Sequence, residues 1–288
     1  MDFGKTGGYT LSDGQKIPKI GFGTFNMDDS TACTAVDAAI GCGYRLIDCA
    51  RFYGDEKGVG QALSSTDVDR DELFISSKVW NDRQLDGTVR QSAEETLRDL
   101  GIDQLDMLLI HWPVRDAFPK TWEIFMEMKE DGLVKSIGVC NFLPEHLEEL
   151  AKRGYEMPVV DQMEHHPYLR YESARKYCRE HGIVYEAWSP LGRGGCISDP
   201  VVAQIAEAHD ATPAQVIIGW HIQSGVLPLP KSANPEHIKS NLQMLDAPLT
   251  DEEIGKIDAL NKNEPIIEGV DPIHFNEILN GESSHFDD

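Results

Sequence analysis

Four polar residues, Asp48, Tyr53, Lys78 and His111, stand at or just past the C-terminal ends of short apolar runs. The runs are Tyr44-Arg-Leu-Ile-Asp48, Leu73-Phe-Ile-Ser-Ser-Lys78 and Leu105-Asp-Met-Leu-Leu-Ile-His111. Short apolar runs of this kind read as buried strands. A chain that ends such strands with ionisable groups places them on one rim of a sheet, and in a parallel α/β barrel that rim carries the chemistry. A carboxylate, a phenol, an ammonium and an imidazole gathered there make a proton-transfer site. The phenol is the natural donor, because a nearby ammonium lowers its pKa toward neutrality.

The elements that must position these groups alternate along the chain. Tyr9 to Pro18 reads as a hairpin turning at Asp13-Gly14. Strands are expected at 20–23, 45–48, 74–78, 107–111, 136–140, 159–163, 184–188 and 226–229. Helical patterns cover 30–42, 88–100, 121–131, 144–152, 172–180, 213–223 and 235–243, several opening on Pro, as at Leu143-Pro144 and Thr212-Pro213. Eight strands alternating with helices predict a (β/α)8 TIM barrel with an N-terminal hairpin. A C-terminal extra helix at 251–261 and a polar, loose tail ending Gly281-Glu-Ser-Ser-His-Phe-Asp-Asp288 complete it. Residues 1–288 are read as one domain, a length that α/β barrels commonly reach.

Composition narrows the function. No 18-residue apolar stretch is present, and the first residues lack a basic segment followed by an apolar one, which argues against a membrane span or a secretory signal. Six cysteines at 33, 42, 49, 140, 178 and 196 include no Cys-x-x-Cys pair, the pattern of reduced cytoplasmic thiols. Asp and Glu total 49 against 26 Lys and Arg, a formal charge of −23. That disfavours nucleic acid and anionic membranes as partners. It fits an acidic, soluble protein, or a host whose high internal salt screens the self-repulsion.

Other strand ends add groups of a different kind. Strand five ends in Val139-Cys-Asn141, strand six runs through Asp161-Gln-Met-Glu-His-His-Pro167, and strand seven gives Ala187-Trp-Ser-Pro-Leu-Gly192. Asn and Gln amides bind a carboxamide, and an indole face stacks on a flat ring. Lys231-Ser232 before a helix suits phosphate. Together they describe a nicotinamide dinucleotide lying across the rim. Gly192-Arg-Gly-Gly195 has the wrong spacing for a Rossmann loop. Each residue also has an ordinary structural role open to it: Asp48 as a turn former, Lys78 and His111 as a buried pair, Trp80 and Trp188 as core. Glu164, His165 and His166 suggest a metal, but adjacent side chains rarely chelate together; none is assigned.

The chain closely resembles the aldo-keto reductases from about Leu11 to Phe275. The stretches that carry the likeness include Lys19-Ile-Gly-Phe-Gly-Thr24, Gly43-Tyr-Arg-Leu-Ile-Asp-Cys-Ala-Arg-Phe-Tyr53, Ser77-Lys-Val-Trp80, Leu109-Ile-His-Trp-Pro113, Gln162-Met-Glu-His-His-Pro167 and Leu229-Pro-Lys-Ser232. Trp188-Ser-Pro-Leu-Gly192 and the short loops look most like the bacterial 2,5-diketo-gluconate reductase group. The resemblance implies reduction of aldehydes or ketones, diketo acids and 2-oxoaldehydes among them, by NADPH and in part NADH, in a cytoplasmic monomer. It implies Tyr53 as the general acid, Lys78 paired with Asp48 to lower the Tyr53 pKa, and His111 to orient the carbonyl. Asn141 and Gln162 would hold the carboxamide, and Trp188 would stack on the nicotinamide. Gly23, Thr24, Asp48 and Cys140 complete the cofactor wall, and Ser189, Leu191 and Gly192 line the pyrophosphate. Lys231, Ser232, His237 and Asn241 meet the adenosine end, while Trp80 and Trp112 wall the substrate pocket.

Three residues depart from the family pattern. Cys140 stands where Ser is usual, His237 where an Arg grips the 2′-phosphate, and Ser240 where Glu meets the adenine. The last two imply that NADPH preference is not strict. The rival reading from another class is a nicotinamide-binding regulatory subunit on the same barrel, resembling potassium-channel β-subunits. A metal-dependent barrel hydrolase is a second rival, disfavoured by the lack of a His-x-His.

Overall fold

The computed structural model describes residues 7–266, apart from 244 and 246, together with Pro272. It opens on an antiparallel hairpin in which β1 (Gly8–Thr10) pairs with β2 (Lys16–Pro18), Gly8 opposite Pro18. The turn closes because Gly14 takes a φ of 89° and the Asp13 carboxylate accepts the Gln15 N–H at 3.0 Å.

Eight parallel strands follow: β3 (Phe22–Gly23), β4 (Leu46–Asp48), β5 (Phe74–Val79), β6 (Leu105–Ile110), β7 (Val134–Cys140), β8 (Val160–Glu164), β9 (Val184–Trp188) and β10 (Val226–Pro228). They lie side by side in chain order. The two outer strands meet where Gly21 N–H donates to Pro228 O at 3.1 Å and Gly23 N–H to Pro230 O at 3.2 Å. The sheet thereby curls shut as a (β/α)8 barrel. Apolar side chains alternate between its two faces. Leu46, Phe74, Met107, Leu109, Val160 and Leu227 fill the interior, and Leu11 and Ile17 of the hairpin plug its floor. Ile47, Ile75, Leu108, Ile110, Ile137 and Val139 face the helices. Fully burying such a side chain contributes about 1.5–3 kcal/mol.

The helices are α1 (Asp29–Cys42), α2 (Glu56–Ser65), α3 (Asn81–Asp86), α4 (Val89–Leu100), α5 (Phe118–Glu130), α6 (Pro144–Lys152), α7 (Glu172–Glu180), α8 (Pro200–Ala208), α9 (Pro213–Gln223), α10 (Pro235–Leu242) and α11 (Asp251–Asp258). Sequence reasoning missed α2, α3 and α8. The first carries Gly58 and Gly60, poor helix formers. They are required by packing: a Cβ on Gly58 would lie 2.0 Å from Asp29 O, and one on Gly60 2.5 Å from Asp99 O. Glycine lets α2 press backbone to backbone on its neighbours. α8 does carry start signals, Asp199 accepting from Val201 N–H at 2.8 Å before Pro200. α9 begins on a reciprocal cap between Thr212 and Gln215. No helix among the described residues is long and apolar enough to cross a membrane. The tail from Gly281, and the end of the family likeness at Phe275, lie outside the described residues.

Candidate active site

Because the strands are parallel, their C-terminal ends share one rim, and a cavity of 670 Å³ opens there. Ligand sites typically occupy about 300–1,000 Å³. Asp48 ends β4 and Lys78 is the penultimate residue of β5, so adjacent strands set them side by side. The Lys78 ammonium lies 2.5 Å from the Asp48 carboxylate and donates to Cys49 O at 3.0 Å. Both are buried, at 1% and 4% exposure. Tyr53 ends a 3-10 turn, Arg51–Tyr53, released by Gly54 at φ 71°. Arg51 pins that turn to Glu56 at 3.0 Å, to Glu95 at 3.5 Å and to Asp99, while Glu56 accepts from Ser77 Oγ at 2.7 Å. Lys78 Nζ sits 5.1 Å from the centre of the Tyr53 ring. His111, the residue after β6, meets that ring edge-on with centroids 5.7 Å apart.

Protonation follows from burial. Burial raises the Tyr53 pKa, Lys78 pulls it down, and Asp48 pushes it up again; the net shift is upward. This corrects the expectation that Lys78 brings the phenol toward neutrality: one paired ammonium does not outweigh desolvation. The phenol therefore holds its proton at neutral pH. Burial would depress Lys78, yet Asp48 and its other neighbours hold it above the usual lysine range. Burial and then Lys78 drive His111 well below the usual imidazole range, so it is neutral. Its Nδ1 is buried without a hydrogen-bond partner among the described residues.

The cofactor set forms a continuous polar string. Asn141 Nδ2 donates to His111 O at 3.0 Å and to Cys140 Sγ at 3.2 Å, and Trp188 Nε1 donates to Asn141 Oδ1 at 2.9 Å. The Cys140 thiol faces Gln162 Oε1 at 3.8 Å. Asn141 and Ser189 take left-handed backbone, φ 63° and 48°, a sparsely populated region that clusters at functional sites. Gly23, Thr24, Asp48, Tyr53, Trp80, His111, Trp112, Cys140, Asn141, Gln162, Trp188, Ser189, Leu191, Lys231, Ser232, His237 and Asn241 all line the one cavity. Lys78 stands behind the wall. Gly192 does not line it; a Cβ there would meet Cys196 Sγ at 2.6 Å, so it shapes the loop instead.

Phe25, Phe52, Arg193 and Glu186 escaped the sequence reading. Phe25 meets the Tyr53 ring at 5.0 Å, Phe52 stacks on Trp80 at 3.8 Å, and the Arg193 guanidinium lies 5.8 Å from the Phe25 ring. Phe25 follows a strand end, as the chemical residues do; Glu186 interrupts an apolar strand. Both signals stand in the sequence.

The aldo/keto reductase family model matches residues 19–262. The chain belongs to the aldo/keto reductase family. Such reductases act on carbonyl groups as nicotinamide-dependent oxidoreductases. This reductase is 42% identical to the glyoxal reductase of Bacillus subtilis over 92% of its own length and 96% of that protein. It is 37% identical to the methylglyoxal reductase DkgA of Escherichia coli, covering 92% and 96%. Among solved structures, the aldo-keto reductase of Bombyx mori in complex with NADP superposes with a TM-score of 0.86 at 32% identity, covering 91% of this chain and 95% of that one.

Proposed function

We propose that this reductase converts small aldehydes and ketones to alcohols with NADPH, with Tyr53 as proton donor. The observation that carries the reading is the Lys78 ammonium, buried between the Asp48 carboxylate and the Tyr53 ring, with His111 beside them at the cavity wall. The residues present fit a nicotinamide: amide groups at Asn141 and Gln162, a half-buried indole at Trp188, and a neutral imidazole whose Nδ1 has no hydrogen-bond partner among the described residues. When bound, the reduced nicotinamide supplies hydride to the carbonyl carbon.

The chain's own residues do the rest. His111 donates an N–H hydrogen bond that orients the carbonyl oxygen toward Tyr53. The Tyr53 hydroxyl gives its proton to that oxygen. Lys78 stabilises the phenolate left behind, and Asp48 keeps Lys78 charged and in place. Phe52, Trp80 and Trp112 wall the substrate side and limit water. Asn141 and Gln162 hold the carboxamide, Ser189 and Leu191 border the pyrophosphate, and Lys231, Ser232, His237 and Asn241 meet the adenosine end.

The relatives' names point to glyoxal and methylglyoxal, so 2-oxoaldehydes and diketo acids, as for the 2,5-diketo-gluconate reductase group, are the substrates proposed. The same reading takes the enzyme as a cytoplasmic monomer. The test is NADPH consumption by purified protein with glyoxal, methylglyoxal and a diketo acid. Turnover of one or more supports the reading. NADPH binding without turnover of any would favour the regulatory-subunit reading.

A further inference from the structure

Inside the barrel, one step below the cavity wall, sits a carboxyl group for which the reaction above has no use. Glu186 lies mid-way along β9, is 0% exposed, and reaches across to β8. Gln162 Nε2 donates to Glu186 Oε2 at 2.9 Å and to Asp48 Oδ1 at 3.2 Å. Two carboxyl groups thus claim both hydrogens of the Gln162 amide nitrogen. That leaves Gln162 Oε1 on the opposite side, facing among the described residues only the weak donor Cys140 Sγ at 3.8 Å. An amide pinned this way presents an acceptor to the cavity. Without Glu186, one hydrogen bond remains to resist a flip of the amide, and a flipped amide would present a donor instead.

We propose that Glu186 is a positioning residue that fixes the orientation of the Gln162 amide, so that Gln162 Oε1 accepts from the amide nitrogen of the nicotinamide carboxamide. The inference rests on the proposed function, which places the nicotinamide over Gln162. Glu186 also sets the charge beneath that ring. Burial and then the Asp48 charge push its carboxyl up to about 8, against the pull of Gln162 and Lys78. The titratable groups that face it are Asp48 on β4, Lys78 on β5, Cys140 on β7 and Asp161 on β8. At neutral pH Glu186 is mostly neutral. Above about pH 8 it adds a negative charge close to a ring that is cationic in NADP⁺ and uncharged in NADPH. Ionisation therefore favours the oxidised cofactor, and the neutral acid leaves the site suited to reduction.

The test measures Kd for NADPH and NADP⁺ by quenching of tryptophan fluorescence in wild type, Glu186→Gln and Glu186→Leu, with thermal melts alongside. Glu186→Leu is expected to weaken NADPH binding roughly tenfold, on the order of one hydrogen bond to an ionisable group. Glu186→Gln, which keeps an acceptor oxygen, restores it to within about threefold. In wild type the ratio of Kd for NADP⁺ to Kd for NADPH falls several-fold from about pH 7 to 9, and in Glu186→Gln it stays flat. A folded Glu186→Leu that binds NADPH as wild type does overturns the proposal. If that variant does not fold, an equal pH trend in wild type and Glu186→Gln overturns it. Wild type that binds neither dinucleotide refutes the proposed function itself, a separate outcome.

Discussion

The two ends of the cavity are built on opposite plans. At the deep end Asp48, Lys78, Cys140, Asn141, Gln162 and Glu186 are each at most 4% exposed, and every one of them is hydrogen-bonded to another or to the barrel backbone. At the outer end Lys231 and His237 are exposed and Ser240 is half-buried. The nearby side-chain bonds are local ones: Ser232 Oγ accepts from Asn234 N–H at 3.1 Å, and Asn234 caps α10. The deep end is organised before any ligand arrives, so a change there disturbs a network. The outer end is solvated, so a change there alters one contact. Chemistry needs the first plan, because preorganised charge in a dry site acts most strongly on a reacting atom. Discrimination between dinucleotides needs only the second.

The largest effect is expected from Tyr53→Phe, which removes one oxygen from the deep end. General acid catalysis contributes about 10²- to 10⁴-fold, so kcat should fall by that factor while Kd for NADPH stays within about threefold. A variant retaining more than roughly a tenth of wild-type kcat rules Tyr53 out as the donor. His237→Arg probes the outer end. Arginine adds a permanent charge and a two-pronged grip that histidine lacks. Charge-assisted hydrogen bonds are worth about 1.5–3 kcal/mol, so the KM ratio of NADH to NADPH should rise roughly 10- to 150-fold with kcat unchanged. An unchanged ratio would mean that residue 237 does not face the 2′-phosphate.

Asp55, buried beside Glu56 and outside the cavity lining, extends the contrast. It is 0% exposed, and burial pushes its carboxyl up to about 7 against the pull of the Thr24 side chain. The folded protein therefore holds a proton that the unfolded chain releases near about pH 4. Between those pH values the native state binds more protons, so stability falls as pH rises. Asp55→Asn should be more stable than wild type at about pH 8 by up to about 4 kcal/mol, and equal to it near pH 4. Denaturant melts at both pH values check this; equal differences at the two would show that Asp55 does not titrate in that window.

The smallest effect belongs to the whole surface. With a net charge of −23, molar KCl should raise Tm by a few degrees, as the Debye length shrinks from about 10 Å to about 3 Å. The kcat of the screened deep end should change little. A flat Tm would mean that the acids are spaced widely enough not to repel.

The sequence displays the tetrad because Asp48, Lys78 and His111 end apolar runs, and the barrel because those runs recur between helical patterns. α2 stayed hidden because Gly58 and Gly60 argue against a helix until α1 and α4 are seen pressing on it. Glu186 and Phe25 carry sequence signals, but what they meet, Gln162 on β8 and the Tyr53 ring, is set by the fold. The net pKa shift of Tyr53 was read the wrong way, since a residue list shows the charged neighbours but not the loss of water. His237 and Ser240 are singled out by the family resemblance alone, and both line the cavity at its outer end.

The hairpin that plugs the barrel floor has a consequence for the order of assembly. Leu11 and Ile17 pack with residues running from Leu46 to Leu229, and Asp13 accepts from Ser136 Oγ at 2.7 Å. That seat does not exist until strands spread over most of the chain have come together. The hairpin is thus seated only after those strands have met, a keystone set after the arch. Contacts across such long separations slow folding. Until they form, Leu11, Ile17 and the open floor remain exposed to one another's copies, which makes this the stage at which newly made chains are most prone to associate.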